Sequence, residues 1–491
     1  MARCHSIMGL VALLMVETAA IGDTFVVKED DGNLASVEAR LIDEGRGLLA
    51  LERADGRIEF VPQNQIARRV AGADPVPVTA QKMSKLLSER FGEDRFRVIV
   101  DEPYVVGLVL TETLPKVYEN KVTACLKKGA AFMKSVEKVF LEFVNDLKIE
   151  TEPPRYPLVL LIFETDEDFI KFAAEETGGQ GLAAGSMLGF YSALTNRLVV
   201  RMSECHTFTT PLHEAIHQQV FNRGVINRMA PVPVWFNEGI ATGFEGSGEK
   251  VNGGPQKINP RYARSARRAK NVDWNSVVAD DNAFRGDVLA GEAYMHAWSI
   301  HWFLLTKYRE EYREYLQSLG QKTALQVDAA GQRTEDFEHA FGKQVSTLQN
   351  EFLPWLELMA KKQRFSLADE KPSAILTTHA NLAEVETSAG KNNEGVMVAE
   401  GRIKNISLIR PMSFLVTLET QSGTYTEWVL PNVAPLKTVP LQKQSVDRQM
   451  KGAPGGEPQT YRIKVRTVVP DSEPARNWQR GQIPVPVWAG S

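Results

Sequence analysis

His213 and His217 stand four residues apart in the segment TPLHEAIHQQVF, and Glu214 stands beside the first of them. In an α-helix, residues four apart lie one turn apart on the same face, so both imidazoles can reach one metal ion. Zinc binds such nitrogen atoms at about 2.0–2.1 Å, and a catalytic zinc keeps one position open for water. Glu214 would stand next to that water. The spacing therefore constrains this segment to a helix if the three residues act together.

The residues around the two histidines favour a short helix. Thr210 can cap its start, Pro211 suits its first turn, and the sequence Asn222-Arg223-Gly224 can end it. Three apolar side chains are available to pack it: Leu212, Ile216 and Phe221. An ordinary amphipathic helix would use the same residues, so the segment alone leaves both interpretations open.

A second segment, PVPVWFNEGIATGF, supplies Glu238, which follows His217 by 21 residues. Pro233 suits the start of a helix, and the apolar residues around Glu238 indicate that this helix is substantially buried. A buried carboxylate needs a partner, and a cation is one. Two helices joined by a short loop can aim His213, His217 and Glu238 at one point, and two histidines with a glutamate and water form a known catalytic zinc site. The alternative is that Glu238 is a solvated helix residue.

The segments HEAIH and PVWFNEGIAT together resemble the gluzincin metallopeptidases of the MA clan, in particular their uncharacterised secreted bacterial members. The resemblance extends from about Ala131 to Leu358 and includes GFYSALTNRLVV before the first helix and AYMHAWSIHWFLL after the second. It implies an α+β core, Glu214 as general base, and a strand before the zinc helix that binds an extended peptide by edge pairing. It also implies the zinc ligands: His213, His217 and Glu238.

The sequence departs from this family at one position. Thermolysin-like members place an aspartate four residues after the glutamate ligand, where it orients the first histidine, and Thr242 stands at that position here. Asn237 can take over this role, or it can be a plain surface residue.

Peptide hydrolysis also needs a group that stabilises the developing negative charge on oxygen. Three residues of the helical stretch Val288–Leu305 are candidates: Tyr294, His296 and His301. Related enzymes supply a tyrosine or histidine at roughly this distance, so the resemblance favours Tyr294. The alternative is that Tyr294 and Trp298 are core residues.

The first twenty residues read as a secretory signal. Arg3 gives a positive start, residues 7–16 are apolar, and Thr18-Ala19-Ala20 supplies the small residues that precede cleavage, which we expect after Ala20. We therefore expect a secreted, periplasmic or cell-envelope protein. No later segment reaches the ~20 apolar residues that a membrane span requires.

The length, net charge and cysteine content of the chain limit which classes of protein it can belong to. A chain of 491 residues predicts about three domains. A net charge of −4 argues against a nucleic-acid partner, which would require a strongly basic face. Without the signal only Cys125 and Cys205 remain, and the two can be paired or buried and inert.

Strand-like segments flank the central region. The ending ADGRIEFVPQNQI of the first resembles the SLA1 homology domain, a small SH3-like β-barrel that serves binding or spacing. GVMVAEGRIKNIS resembles the opening strand of small secreted β-sandwich modules, and the alternating segments around it predict a sandwich. We therefore predict an α+β protein in four parts: a signal peptide (1–20), an SH3-like barrel (21–72), a gluzincin-like core (81–365) and a C-terminal β-sandwich (380–485).

Two further segments lie between the glutamate and Tyr294. Arg261, Arg264, Arg267, Arg268 and Lys270 form a basic run, which is either a solvated helix face or a patch for acidic substrates or cell-wall polymers. Residues 243–254 are rich in glycine and can act as a lid.

These observations predict an exported zinc-dependent metallopeptidase with a peptide or protein substrate and no nucleic-acid partner. One alternative is a non-catalytic envelope protein, with zinc as a structural staple and the flanking β modules binding a cell-envelope partner. Another is a zinc hydrolase that acts on a non-peptide amide.

Overall fold

The computed structural model describes residues 23–29, 32–176, 187–247, 251, 253–269, 273–284, 287–368, 375–453 and 460–488. The chain divides into two compact units, with the boundary between Pro77 and Val78. The predicted signal segment lies outside the described residues, as do Lys270 of the basic run and part of the glycine-rich stretch. Within the described part of the chain, no helix is long and apolar enough to cross a membrane.

The described residues of the first unit contain six short strands. They are β1 (Thr24–Lys28), β2 (Leu34–Glu38), β3 (Arg40–Gly45), β4 (Leu48–Glu52), β5 (Ile58–Pro62) and β6 (Ile66–Val70). They form two antiparallel three-stranded sheets, in the orders β2-β1-β6 and β3-β4-β5. The strand content was predicted correctly, but the described strands form two separate sheets and no closed barrel, so the SH3-like barrel stays a prediction.

The second unit begins with a mixed five-stranded sheet and its helices. The elements are α1 (Ala80–Phe91), β7 (Phe96–Asp101), β8 (Tyr104–Val109), α2 (Glu119–Asp146), β9 (Leu158–Phe163), α3 (Asp166–Glu176), β10 (Gly189–Ser192) and β11 (Arg197–Arg201). The strand order is β10-β11-β9-β8-β7, in which β11, β9 and β8 run parallel and both outer pairs are antiparallel.

The three parallel strands are buried along their length because helices cover both faces of the sheet, and only β11 carries charged residues, Arg197 and Arg201 at its ends. Residues of α2 pack with one face, and residues of α1 and α3 pack with the other. Strand β10 lies at an edge of the sheet, and α4 follows it closely along the chain. The strand that directly precedes α4 is β11, which lies between β10 and β9, so the edge position predicted for the strand before this helix holds for β10 and not for β11.

A helical layer follows the sheet. It contains α4 (Thr209–Asn222), α5 (Val234–Phe244), α6 (Pro260–Arg268), α7 (Trp274–Ala279), α8 (Asp287–Lys307), α9 (Arg309–Gly320), α10 (Gln332–Phe341) and α11 (Val345–Lys362). Single residues mark two of the helix boundaries in this layer. Tyr308, at φ −123° and ψ 53°, separates α8 from α9. Gly342, at φ +60°, ends α10 in the left-handed conformation that glycine adopts without cost.

The C-terminal part returns to β-structure. Its strands are β12 (Leu376–Ala380), β13 (Ala383–Lys391), β14 (Met397–Asn405), β15 (Met412–Thr420), β16 (Thr424–Val433), β17 (Thr438–Ser445), β18 (Arg448–Gln449) and β19 (Tyr461–Val468), followed by α12 (Glu473–Gln479). They form two four-stranded sheets, in the orders β12-β13-β14-β17 and β18-β16-β15-β19, with buried apolar residues from both in one core. The chain is therefore α+β, as predicted.

A buried ion pair joins these sheets to the five-stranded sheet. Arg410, between β14 and β15, donates from Nε to Glu164 Oε1 at 2.6 Å and from Nη2 to Glu164 Oε2 at 2.7 Å. The two side chains are 2% and 0% exposed. Glu164 follows β9 directly and also accepts a hydrogen bond from the backbone of Thr111 at 2.9 Å.

Candidate metal centre

Helix α4 carries both histidines and begins from an unusual residue. Its N-cap is Phe208, at φ +59°, and the ring of Phe208 packs against Phe132 of α2 at 4.7 Å between centroids. The predicted cap, Thr210, is wrong: it lies inside the first turn and donates its hydroxyl to Glu204 Oε2 at 2.9 Å. Aromatic packing rather than a side-chain cap therefore fixes the start of this helix. Its predicted end is confirmed, because Asn222 is the last helical residue.

The three predicted ligands lie together. Nε2 of His213 is 2.9 Å from Glu238 Oε2, and Nε2 of His217 is 3.6 Å from the same oxygen. The two Nε2 atoms are 3.1 Å apart. One ligand atom from each residue lies within 4.8 Å of the other two. Both histidines are buried, and the Glu238 side chain is 14% exposed, so the cluster can exchange an ion with solvent from one side.

The position of Glu238 depends on close packing of α5 against α8. A Cβ atom added at Gly239 would lie 2.7 Å from His301 Cβ and 2.9 Å from the backbone oxygen of Ala297. One added at Gly243 would lie 2.7 Å from Pro255 Cβ. The two glycines, one turn apart, thus let α5 approach α8. The prediction that a lid begins at Gly243 is wrong, because Gly243 is a packed residue of α5.

The support for His213 comes from a residue that sequence reasoning missed. Nδ1 of His213 is 2.8 Å from Oε1 of Glu245, which lies in a short 3₁₀ turn directly after α5. Burial and the charge of the same carboxylate raise the pKa of Tyr262 in α6. Glu245 follows Glu238 by seven residues, about two helical turns, so a second carboxylate on the same helix face was a usable signal.

The two residues considered for that role make other contacts. Thr242 donates its hydroxyl to the backbone oxygen of Glu238 at 2.8 Å, within α5. The side-chain oxygen of Asn237 is buried and, within the described part of the chain, has no hydrogen-bond partner. Nδ1 of His217 is likewise buried without a partner among the described residues. Only the first histidine is held by a carboxylate on its outer side.

The histidines and carboxylates of the cluster shift one another's pKa values. Burial by itself would lower the pKa of His213, but the hydrogen bonds with Glu238 and Glu245 outweigh it and raise the pKa well above its ordinary value. Burial would raise the pKa of Glu238, but the two histidines overcome it and lower that pKa well below its usual range. The carboxylate of Glu238 is therefore charged and ready to act as a ligand.

Glu214 points to the edge strand. Its Oε2 accepts a hydrogen bond from the backbone N–H of Tyr191 in β10 at 2.8 Å. The ring of Tyr191 stacks on Phe221 of α4 at 5.8 Å, and its hydroxyl donates to Asn196 at 2.8 Å. Strand β10 is thus held against the histidine helix, with Glu214 between the strand and the ligands.

Three residues of α8 are candidates for stabilising the oxyanion, and Tyr294 is the one that lies beside the cluster. Its ring centroid is 6.0 Å from that of His213. The charge of Glu238 and burial raise the pKa of Tyr294, so the hydroxyl keeps its proton at neutral pH.

The two histidines of α8 are placed differently. His301 is fully buried behind α5, where its Nδ1 lies 3.1 Å from the hydroxyl of Tyr312. Burial lowers the pKa of His301 to about 3 and also lowers the pKa of His296. Both are therefore neutral residues of the helix packing, and neither contacts the ligands within the described part of the chain.

The cysteines and the remaining histidines lie outside the centre. Cys125 and Cys205 are free and buried, so the inert alternative holds in this structure. His206 stacks on His379 of β12 at 5.1 Å between ring centroids, so His379 has a neighbour that the sequence did not indicate.

Comparisons with known proteins give two findings. A family described as a protein of unknown function (DUF1570) matches residues 207–326, which carry α4, α5 and Tyr294. The solved structures that match include Legionella pneumophila aminopeptidase A in complex with aspartic acid, with 11% identity and a TM-score of 0.27. That match covers 76% of this chain and 37% of the Legionella chain. No curated protein matches significantly.

Proposed function

We propose that the chain is an exported, zinc-dependent metallopeptidase. The observation that supports the proposal is the convergence of His213, His217 and Glu238, with Glu214 one residue after the first histidine and hydrogen-bonded to the N–H of Tyr191. Two imidazoles and one carboxylate are the ligand set of a known class of catalytic zinc sites. The export part rests on the sequence of residues 1–20 alone.

The ligand atoms suit a zinc ion. Two nitrogen ligands of one tetrahedral zinc lie about 3.3 Å apart, and the Nε2 atoms of His213 and His217 are 3.1 Å apart. Glu245 holds Nδ1 of His213, which leaves the lone pair of Nε2 directed into the cluster. When bound, zinc would supply a Lewis acid that makes the attacking water more acidic.

The residues of the chain would carry the proton transfers. Glu214 accepts the proton of the attacking water and passes it to the leaving amine. Tyr294 donates a hydrogen bond to the scissile carbonyl oxygen as negative charge develops there. Its raised pKa keeps the hydroxyl protonated for this purpose.

Strand β10 would hold the substrate. It is an edge strand, and the N–H of Tyr191 points away from β11 and toward Glu214. An extended peptide that adds to this edge would run past Glu214 and the ligands. The flanking β modules would bind a cell-envelope partner or a protein substrate.

Four proteins test the proposal: the natural chain, Glu214→Gln, His217→Ala and, as a matched control, His339→Ala, which replaces an exposed histidine of α10. We expect one zinc per chain by metal analysis, loss of zinc in His217→Ala and retention in the control. Glu214→Gln should keep zinc and lose peptide hydrolysis by about 10²–10⁴-fold.

Two results would overturn the proposal. Stoichiometric zinc without hydrolysis of any peptide in a broad panel would favour a structural zinc in a binding protein. Hydrolysis of other amides but not of peptides would favour a different zinc hydrolase. Sequencing the N-terminus of the exported chain, expected at Ile21, tests the signal separately.

A further inference from the structure

A cavity of about 630 Å³ lies at the carboxyl ends of β8 and β9. Thr111 and Glu112, which come soon after β8, line one part of it, and Thr165 and Asp166, which come soon after β9, line another. Residues of the C-terminal sheets and of α12 line the rest. Among the described residues that line this cavity, none belongs to the metal centre.

The topology of the sheet creates a crevice at this place. Strands β8 and β9 are parallel neighbours. The chain passes from β8 to α2, which packs on one face of the sheet, and from β9 to α3, which packs on the other face. Two connections that leave adjacent parallel strands toward opposite faces open a crevice between them, and ligands of open α/β sheets bind in such crevices. The position of the cavity is therefore typical of a binding site.

A buried carboxylate joins the two walls of the cavity. Asp166, at the start of α3, accepts a hydrogen bond from the backbone N–H of Asn381, between β12 and β13, at 3.2 Å. It also accepts hydrogen bonds from Arg201 at 3.1 Å and from Ser203 at 3.2 Å. The carboxylate of Asp166 is thus used within the protein, and other groups must contact a ligand.

The wall from the C-terminal sheets carries a positive charge. Arg466 of β19 is exposed, and its guanidinium carbon lies 5.6 Å from the centroid of the Trp478 ring in α12. Both residues line the cavity, and Trp478 is buried, so its ring supports the guanidinium at this wall. Arg466 forms no ion pair with any carboxylate of the described residues. A guanidinium in this state can bind a carboxylate of a ligand through two parallel hydrogen bonds.

The wall from the five-stranded sheet and α3 carries negative charge. Glu112 and Glu167 line the cavity, are exposed and form no ion pair with the described residues. The first turn of α3 is acidic throughout, so an inorganic anion such as phosphate would be repelled there. A ligand with only positive charge would in turn be repelled by Arg466.

Apolar side chains lie between the two charged walls. Ile170 of α3, Leu382 and Val468 of β19 all line the cavity. The volume lies within the range of about 300–1,000 Å³ that small-molecule sites have, and a peptide of about two to four residues is of that size.

We propose that this cavity binds a zwitterionic ligand, either a short peptide or a free amino acid. Its carboxylate contacts Arg466, and its ammonium group contacts Glu112 and Glu167. The volume favours the short peptide. The site lies outside the metal centre and goes beyond the proposed catalytic function.

Isothermal titration calorimetry tests the proposal on the full chain carrying Glu214→Gln, in which the probes should not be cleaved. The probes are trialanine with free ends, trialanine amidated at the C-terminus, trialanine acetylated at the N-terminus, and free alanine. Each is measured with Arg466 intact, with Arg466→Gln and with Glu112→Gln combined with Glu167→Gln. The control is Lys464→Gln, which removes a positive charge from the same strand at a residue that does not line this cavity. The metal centre is the same in all these proteins, so differences in binding report the cavity.

We expect Arg466→Gln to weaken the binding of free trialanine about tenfold or more, because a hydrogen bond between charged groups is lost. Arg466→Lys keeps the charge and should fall between the two. The amidated probe should bind the intact chain about tenfold more weakly and should not respond to Arg466→Gln. The double variant should likewise weaken free trialanine but not the acetylated probe, and Lys464→Gln should change binding by less than about twofold.

Free alanine that binds as tightly as trialanine would identify an amino acid as the ligand. The proposal is overturned if neither probe binds, if binding is the same with Arg466→Gln, or if Lys464→Gln has an equal effect. Zinc content and hydrolysis do not enter this measurement, so this proposal and the peptidase proposal can fail separately.

Discussion

Glu245 lies 2.8 Å from Nδ1 of His213, although it is seven residues beyond Glu238 and outside α5. This carboxylate fixes which nitrogen of His213 faces the cluster. The position four residues after the ligand, occupied by Thr242, is used for a bond within α5 instead. The carboxylate that contacts His213 thus lies about one turn beyond Thr242 along the chain.

Replacing Glu245 with Ala should weaken zinc binding by about 10–100-fold, because His213 would lose the partner that fixes its tautomer and orientation. Competition with a chromogenic chelator measures this affinity. Glu311→Ala on α9 is the control. The zinc affinity of Glu245→Gln should fall between that of Glu245→Ala and that of the control. Unchanged affinity in Glu245→Ala would show that the hydrogen bond has no role in metal binding.

Tyr294→Phe should lower kcat by about 10²-fold or more while zinc content stays the same, because a donor to the developing oxyanion is lost and no ligand is changed. Steady-state kinetics with a cleaved peptide, together with metal analysis, separate these effects. His296→Gln serves for comparison and should change kcat little. The opposite ranking of the two variants would assign the oxyanion role to His296.

Gly239→Ala should destabilise the protein by about 1–3 kcal/mol and reduce its zinc content, since the added methyl would press on Ala297 and move α5. Urea unfolding gives the stability change. The matched control is Gly390→Ala in β13, where an added Cβ meets no atom within 4 Å. Equal stability of the two variants would contradict the packing described for α5.

The buried thiols give a pH prediction. Burial raises the pKa of Cys125 from 9.0 to about 11, and burial also raises the pKa of Cys205 well above its ordinary value. The native chain keeps these protons at pH values where the unfolded chain loses them. This contribution to stability is complete below pH 9 and is lost as the pH rises toward 11.

Two measurements check this. The free energy of unfolding should fall between pH 9 and pH 11 more in the natural chain than in the Cys125→Ala, Cys205→Ala double variant. Iodoacetamide should label the native thiols slowly at pH 8 and the denatured thiols quickly. Fast labelling of the native protein would show that the two residues are accessible.

Much of the site was predictable because its signals are local. The spacing of His213 and His217 and the apolar surroundings of Glu238 specify two helices, and both are present. Glu245 was missed because a pattern borrowed from other enzymes directed attention to Thr242. The complete burial of His301 also could not be predicted from the sequence, because it depends on how closely Gly239 lets α5 approach α8.

The fold was predictable to the level of α+β class and of most central elements. The strand pairing was not, because period-two patterns indicate strands but do not say which strands share a sheet. In the first unit, β2 ends at Glu38 and β3 starts at Arg40, so the chain passes from one sheet to another within a single residue, Ala39. No local pattern marks that change.

The pairing of Glu164 with Arg410 bears on how this protein can be divided. The two buried side chains contact each other instead of water. Burial raises the pKa of Glu164, and the charge of Arg410 opposes that shift. Cutting the chain after α11 would remove Arg410, the ion-pair partner of Glu164, together with the residues that pack around the pair. The C-terminal sheets are therefore part of the packing around Glu164, and a shortened chain would need a replacement at Glu164.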